Sequence, residues 1–293
     1  MYPLDAIYGP LAYNTFHKCG ELKGEGLKST LQKSLDICGY DPIVVRSYAE
    51  LVETVSFFSV MNKRHTLYFR GQATYAPLRP AIFRSSWTSL SGTRHDIPGD
   101  PTVVRRIYDH LQRDIAQTIH SACSAFPMPR RATLRMFREA VWAIAQHYQQ
   151  WPTPLIDVTP SLRAAASFAL WDRRNEGELY VVALPPSTNS ITFEADQHVV
   201  LARLQAVCPP AAKRPHYQDG FLVGRFPFMA PTANEIDRRP DQVSDLSRRL
   251  VARIRLRDEG SFWNADFPPM TASSLMPTAE NDQLLEKFQQ HIT

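Results

Sequence analysis

The sequence predicts an α+β fold, and three observations carry that prediction. Apolar residues recur at near-helical intervals through the first half of the chain. Short apolar runs of strand type cluster in the second half, and the two kinds do not alternate as βαβ units. The 23 prolines divide the 293 residues into short elements, and 44% apolar residues can bury a substantial core.

The elements follow in chain order. Residues 1–45 show weak periodicity and are expected to form an irregular N-terminal extension. Ser47 and Glu50 stand at capping-box spacing before Leu51, Val52, Val55, Phe58, Val60 and Met61. A helix is therefore expected over about 48–62, leading into a strand from Thr66 to Arg70. Asp100 ahead of Pro101 starts a second helix reaching about His120, and a third spans about 131–148. Thr153 to Thr159 reads as a short buried strand with one acid, Asp157. The following SLRAAASFALWDR has the small, apolar content of a tightly packed helix. Asn175-Glu176-Gly177 reads as a turn before a strand from Glu178 to Leu184. Further strands are expected over 190–194, 199–204, 220–226 and 250–256, and a last amphipathic helix over about 279–291, capped by Thr278.

Composition narrows the function classes. The chain has no run of about 18 apolar residues, so no transmembrane helix is expected, and MYPLDAIYGP lacks the basic-then-apolar order of a signal peptide. Cys19, Cys38, Cys123 and Cys208 show no CxxC spacing, which suits free thiols in a reducing compartment, and the cytoplasm is the expected location. A net charge of +4 is too small to indicate nucleic-acid binding by itself, but 26 of the 33 basic residues are Arg. Arginine's flat five-donor fork suits phosphates and carboxylates. The codon bias of a GC-rich genome accounts for the same composition.

Three polar constellations stand in apolar surroundings. Arg70-Gly71-Gln72 ends a strand in LYFRGQATYAPLRPAIFR, with a second Phe-Arg at Phe83-Arg84. Gln146-His147-Tyr148 ends a helix and precedes the strand bearing Thr153, Asp157 and Thr159. His216-Tyr217-Gln218-Asp219-Gly220 opens an apolar strand. Each has a structural alternative. Arg70 either clamps an anionic ligand or pairs with a buried acid such as Asp157, and Gly71 permits close backbone approach to whatever Arg70 and Gln72 hold. His147 is either a catalyst or a hydrogen-bonded structural residue, Asp157 either acts in chemistry or caps the next helix, and Gln218-Asp219-Gly220 is a site or a turn.

These stretches together resemble the successive motifs of the FRG-domain family, named for its Phe-Arg-Gly signature. YFRGQATYAPLRPAIFR, AQHYQQWPTPLIDVTPSLRAAASFAL, ELYVVAL and RPHYQDGFLV occur in the family's order over about residues 48–226, with an echo in FPPMTASSLMP near residue 270. The resemblance implies a domain over 46–270, after the 1–45 extension, with 271–293 as a C-terminal helix packing on it. The order of elements is similar to that of ADP-ribosyltransferases: an Arg ending a first core strand, a Thr-bearing strand running into a small-residue helix, a hydrophobic strand, and a polar triplet opening another. This implies an ADP-ribosyltransferase-like split mixed β-sheet core with helices inserted between the first and second core strands.

The same resemblance implies a chemistry. Cleaving the nicotinamide–ribose bond of NAD creates an oxocarbenium-like centre, which needs the diphosphate held, the ribose fixed and negative charge near the sugar. NAD is the implied substrate, with no metal. Arg70, Gly71, Gln72, Arg84, Thr153 and Thr159 are the implied binding residues, and Asp157, His147, Gln218 and Asp219 the implied catalytic ones. Such enzymes carry a Glu where this chain has Gln218 and Asp219, so either another group serves or no transfer occurs. The implied role is a toxin-like effector of bacterial conflict, toxin–antitoxin or anti-phage systems. Its acceptor would be RNA, DNA or protein, with an antitoxin protein as a further partner and no membrane. A nucleotide-sensing module is the alternative. A nuclease or nucleic-acid-binding protein ranks last, because the sequence shows no closely spaced acids for a metal.

Overall fold

Capping, small residues and strand pairing set the elements of this protein, seen in a computed structural model that describes residues 7–9, 41–97, 100–128, 130–187, 189–228 and 246–290. In chain order they are β1 (Ile43–Val45), α1 (Tyr48–Met61), β2 (Thr66–Gln72), the hairpin β3 (Ser86–Thr88) and β4 (Arg94–Asp96), α2 (Pro101–His110), α3 (Ala116–Ser124), α4 (Arg131–Met136), α5 (Arg138–His147), β5 (Leu155–Val158) and α6 (Leu162–Ala169). There follow β6 (Glu176–Leu184), β7 (Ile191–Glu194), β8 (Val199–Arg203), α7 (Leu204–Val207), α8 (Lys213–Gln218), β9 (Phe221–Arg225), β10 (Leu250–Arg257), α9 (Ala272–Leu275) and α10 (Gln283–Gln290). The fold is mixed α/β, and it divides into two compact units. The first holds residues 1–78, 158–186 and 245–271, the second 79–157, 187–244 and 272–293.

Unit 1 is built on a mixed four-stranded sheet in the order β1-β10-β6-β2, in which β1 runs parallel to β10 and the other pairs are antiparallel. One face is apolar: Leu67, Phe69, Leu179, Val181, Ala252 and Ile254 are buried with Ala165, Ala166 and Ala169 of α6. Helix α6 lies so close to the sheet that a Cβ on Gly71 would stand 1.8 Å from the Ala165 carbonyl oxygen. Only a residue without a side chain fits under that helix. Helix α1 begins as expected, with Ser47 Oγ accepting from Glu50 N at 3.1 Å, while the Glu50 carboxylate reaches back to Arg46 N at 2.8 Å.

Unit 2 has the sheet order β5-β9-β8-β7 and its own core, in which Trp142 and Ile144 of α5 and Tyr148 at its C-cap pack with Leu111, Leu155, Leu222 and Phe288. Its free cysteines Cys123 and Cys208 are both buried, and burial pushes the Cys123 thiol up to about 12. Cys19 and Cys38 lie outside the described residues. Among the described residues no helix is long and apolar enough to cross a membrane.

Several boundaries differ from expectation, each for a tertiary reason. Residues 43–45 form β1 because β10 offers a free ladder edge, and Ile7 of the N-terminal stretch is buried; residues 1–6 and 10–40 lie outside the described residues. Strand β2 runs past Arg70 to Gln72, since Gly71 pairs with Leu179 and Gln72 with Glu178. The expected turn at Asn175-Glu176-Gly177 is mostly strand: Glu176 and Gly177 pair with Arg257 and Leu256. The second helix holds a π segment at Leu111–Ile115 and continues to Ser124, and the third breaks at Phe137, whose backbone is extended. Asp282, not Thr278, caps the last helix through Leu285 N at 3.0 Å, while the Thr278 carbonyl closes the preceding turn.

Candidate functional site

The C-terminal end of α5 and strand β5 build a polar network within unit 2. Leu155 N donates to Thr153 Oγ1 at 3.2 Å, Thr153 Oγ1 donates to Gln146 Oε1 at 3.0 Å, and Gln146 Nε2 donates to Asp157 Oδ2 at 3.4 Å. His147 Nδ1 lies 3.0 Å from Asp157 Oδ1. Hydrogen-bond bookkeeping fixes the direction of this chain. A carboxylate can only accept, so Gln146 turns its NH2 toward Asp157 and its carbonyl oxygen toward Thr153, whose hydroxyl donates to it. Both Asp157 oxygens then act as acceptors, so His147 carries its proton on Nδ1 and leaves Nε2 bare.

That bare nitrogen is buried. The His147 side chain is 2% exposed, and among the described residues its Nε2 has no hydrogen-bond partner. Burial pulls the His147 pKa below its ordinary value, and the nearby Arg214 guanidinium pulls it the same way against the opposing bond to Asp157. The imidazole is therefore neutral at pH 7. Asp157, by contrast, is 35% exposed, so a fixed carboxylate meets solvent with a buried base behind it. Gly220 lies against the ring: a Cβ there would stand 3.3 Å from His147 Cε1 and 2.7 Å from Leu204 Cδ1.

A second buried set braces the same helix. Asp282, fully buried, accepts from Tyr148 Oη at 2.9 Å and from Arg214 N at 2.8 Å. The Arg214 guanidinium sits 5.9 Å from the centre of the Tyr148 ring.

The linkage of His147 to folding gives a pH prediction. A histidine whose pKa is depressed in the folded state binds its proton more readily when unfolded, so its contribution to stability is full above about 6.5 and lost as pH falls below that value. Thermal melts from pH 8 to pH 5 should show stability declining through this window. His120, also depressed by burial, adds in the same direction. His147→Asn, which keeps a donor near the Nδ1 position, should flatten the curve in part. An unchanged slope would mean that His147 is charged in the folded protein.

The polar face of the unit 1 sheet holds the first constellation. Arg70 stands opposite Tyr180, which stands opposite Arg253, and Gln72, Glu178 and Arg255 form the next row. Glu178 is buried and pairs with Arg253 at 3.3 Å and Arg255 at 2.8 Å, and the Arg253 guanidinium lies 5.0 Å from the Tyr75 ring centre. Phe69, beside Arg70, exchanges backbone bonds with Thr159 at 2.7 and 2.9 Å.

The expected site residues thus fall in two groups. Unit 2 joins His147, Asp157 and Thr153, the last fully buried inside the network. Unit 1 holds Arg70, Gly71, Gln72 and Thr159. The close approach that Gly71 permits is to α6, and Gln72 Nε2 reaches the Ala76 carbonyl at 3.5 Å. Thr159 Oγ1 accepts from Ser161 N at 3.0 Å, and Ser161, not Asp157, caps α6 through Ala164 N. Arg84, in unit 2, donates from Nε to the Arg79 carbonyl at 2.9 Å. Gln218 is buried, its side-chain amide donating to the Leu275 carbonyl, and Asp219 takes the left-handed conformation (φ 44°) that ends α8. Sequence reading named Gln146 without a role and passed over Arg214 and Asp282. Arg214 lies within the quoted RPHYQDGFLV, but nothing local marks Asp282.

Residues 65–178, from the edge of β2 into β6, match the family model of the FRG domain. The segment includes Arg70, His147 and Asp157 and ends before Gln218. No curated protein and no solved structure matches the chain.

Proposed function

We propose that this protein is an NAD-dependent ADP-ribosyltransferase, a toxin-like effector of a bacterial conflict, toxin–antitoxin or anti-phage system. The observation that carries the reading is the His147–Asp157 pair. A carboxylate held by two donors and partly open to solvent supplies fixed negative charge to an oxocarbenium-like centre or takes a proton from an incoming nucleophile, and the buried imidazole of His147 orients it through Nδ1. The motif order lends support. Arg70 lies in a strand whose Phe69 is bonded to Thr159, Thr159 leads into the alanine-rich α6, and the helices α2 to α5 fall between β2 and β5. In this reading Arg70 binds the diphosphate through two parallel donors. The acceptor is a protein or nucleic acid, and an antitoxin protein would hold the activity in check in the cell.

A second reading, a nucleotide-sensing module without transfer, is favoured by Gln218. It stands where the resemblance implies a catalytic Glu, yet it spends its amide on the Leu275 carbonyl.

Incubation with labelled NAD and cell extract, followed by separation of label in protein, RNA, DNA and free ADP-ribose, tests the proposal. Nicotinamide release with label in one macromolecular fraction is the expected result. Arg70→Ala should abolish it, and Arg70→Lys should fail as well because an ammonium lacks the planar pair of donors. Saturable NAD binding with no nicotinamide released would select the sensing module instead.

A further inference from the structure

We propose that unit 2 carries a stacking surface for single-stranded nucleic acid, built from Trp87, His95, Trp151 and His110. Trp87 and His95 are direct partners across the β3–β4 hairpin and stack with centroids 5.2 Å apart at 27°. Trp87 meets Trp151 at 5.8 Å, and Trp151 meets His110 of α2 at 4.4 Å. The Trp151 indole N–H donates to the Ile107 carbonyl at 3.0 Å, which holds that ring in place. A hairpin, a loop and a helix thus contribute four rings to one continuous row. His95 is exposed and the other three are half-buried. Trp151 packs against the apolar core of unit 2, whereas Trp87, half-buried, lies outside it.

Charge around the row fits a polyanion. The segment Arg79 to Asp157, which supplies all four rings, holds ten arginines against six acids, while unit 2 as a whole holds 17 basic and 15 acidic residues. Arg94, next to His95, is 73% exposed, and exposed Arg106 and Arg113 lie on the turns before and after His110. Three acids temper this field: Asp96 lies 3.9 Å from Arg94, Asp109 pairs with Arg105, and Asp114 with His110. Arginines alone would hold any phosphate chain, duplex included. Aromatic rings select unpaired bases, because only a single strand offers free base faces. The surface would present an RNA or DNA acceptor to the transferase; that role rests on the function proposed above, whereas binding does not.

Fluorescence anisotropy with a labelled single-stranded oligothymidylate and an oligouridylate of about 20 nucleotides, without NAD, tests the surface. Saturable binding that weakens with salt and exceeds binding to a duplex of the same length is expected. Trp87→Ala should weaken it about tenfold or more, with Trp87→Phe retaining most of it. Should Trp87→Ala fail to fold, His95→Ala, at an exposed position, carries the same test with the same expected direction. Absence of saturable binding, equal affinity for the duplex, or wild-type affinity in these alanine variants would overturn the proposal. Because NAD is absent, failure here leaves a transferase acting on protein intact, and an inert enzyme that still binds leaves the surface standing.

Discussion

Gly71→Ala is expected to destabilise unit 1 severely. The added Cβ would lie 1.8 Å from the Ala165 carbonyl oxygen and 2.8 Å from Ala169 N, both backbone atoms of a helix that cannot rotate aside. Relief requires lifting α6 off β2, which exposes Ala165, Ala166 and Ala169, all fully buried. Overpacking of a tight core costs about 1–3 kcal/mol and more where backbone must move, so a loss of about 3 kcal/mol or above is expected against a total stability of roughly 5–15 kcal/mol. Denaturant titration beside Gly92→Ala gives the contrast. Gly92 has positive φ (81°) but open space around it, so its alanine variant should lose only about 1 kcal/mol. Equal midpoints for Gly71→Ala and the wild type would show that the helix sits more loosely than described, and would return Gly71 to the ligand-approach reading.

Asp282→Ala should destabilise unit 2 nearly as much. One buried carboxylate satisfies the Tyr148 hydroxyl, Arg214 N and Leu285 N, and it faces the buried Arg214 guanidinium. Alanine strands three donors and leaves that cation with less compensation, at a cost of about 3–5 kcal/mol. Asp282→Asn should fall between, because an amide keeps one acceptor oxygen and turns an NH2 toward at least one donor. Melting temperatures should rank wild type, Asn, Ala. Equal melting of the two variants would mean that charge, rather than acceptor geometry, holds the C-terminal helix in place.

The sequence by itself determined the features whose signals are local. The Ser47 cap and the helix after it, the alanine-rich helix from Leu162, the apolar strand through Leu184 and the strands near 191, 199, 221 and 250 were legible, because capping residues and periods of 3.6 or 2 act within a few neighbours. The motifs around Arg70, His147 and Asp157 were legible too, and the FRG-domain match covers all three. What each residue touches was decided only by the tertiary structure. Asp157 turned to His147 and Gln146; Gly71 proved to be cut to fit a helix that begins 91 residues later. Gln218 gave its amide to a carbonyl 57 residues away, and Tyr148 bonded an aspartate 134 residues away. Such pairings leave no period in the chain. A buried donor takes whichever acceptor the packed core brings within about 3 Å, and distance along the sequence does not enter that choice.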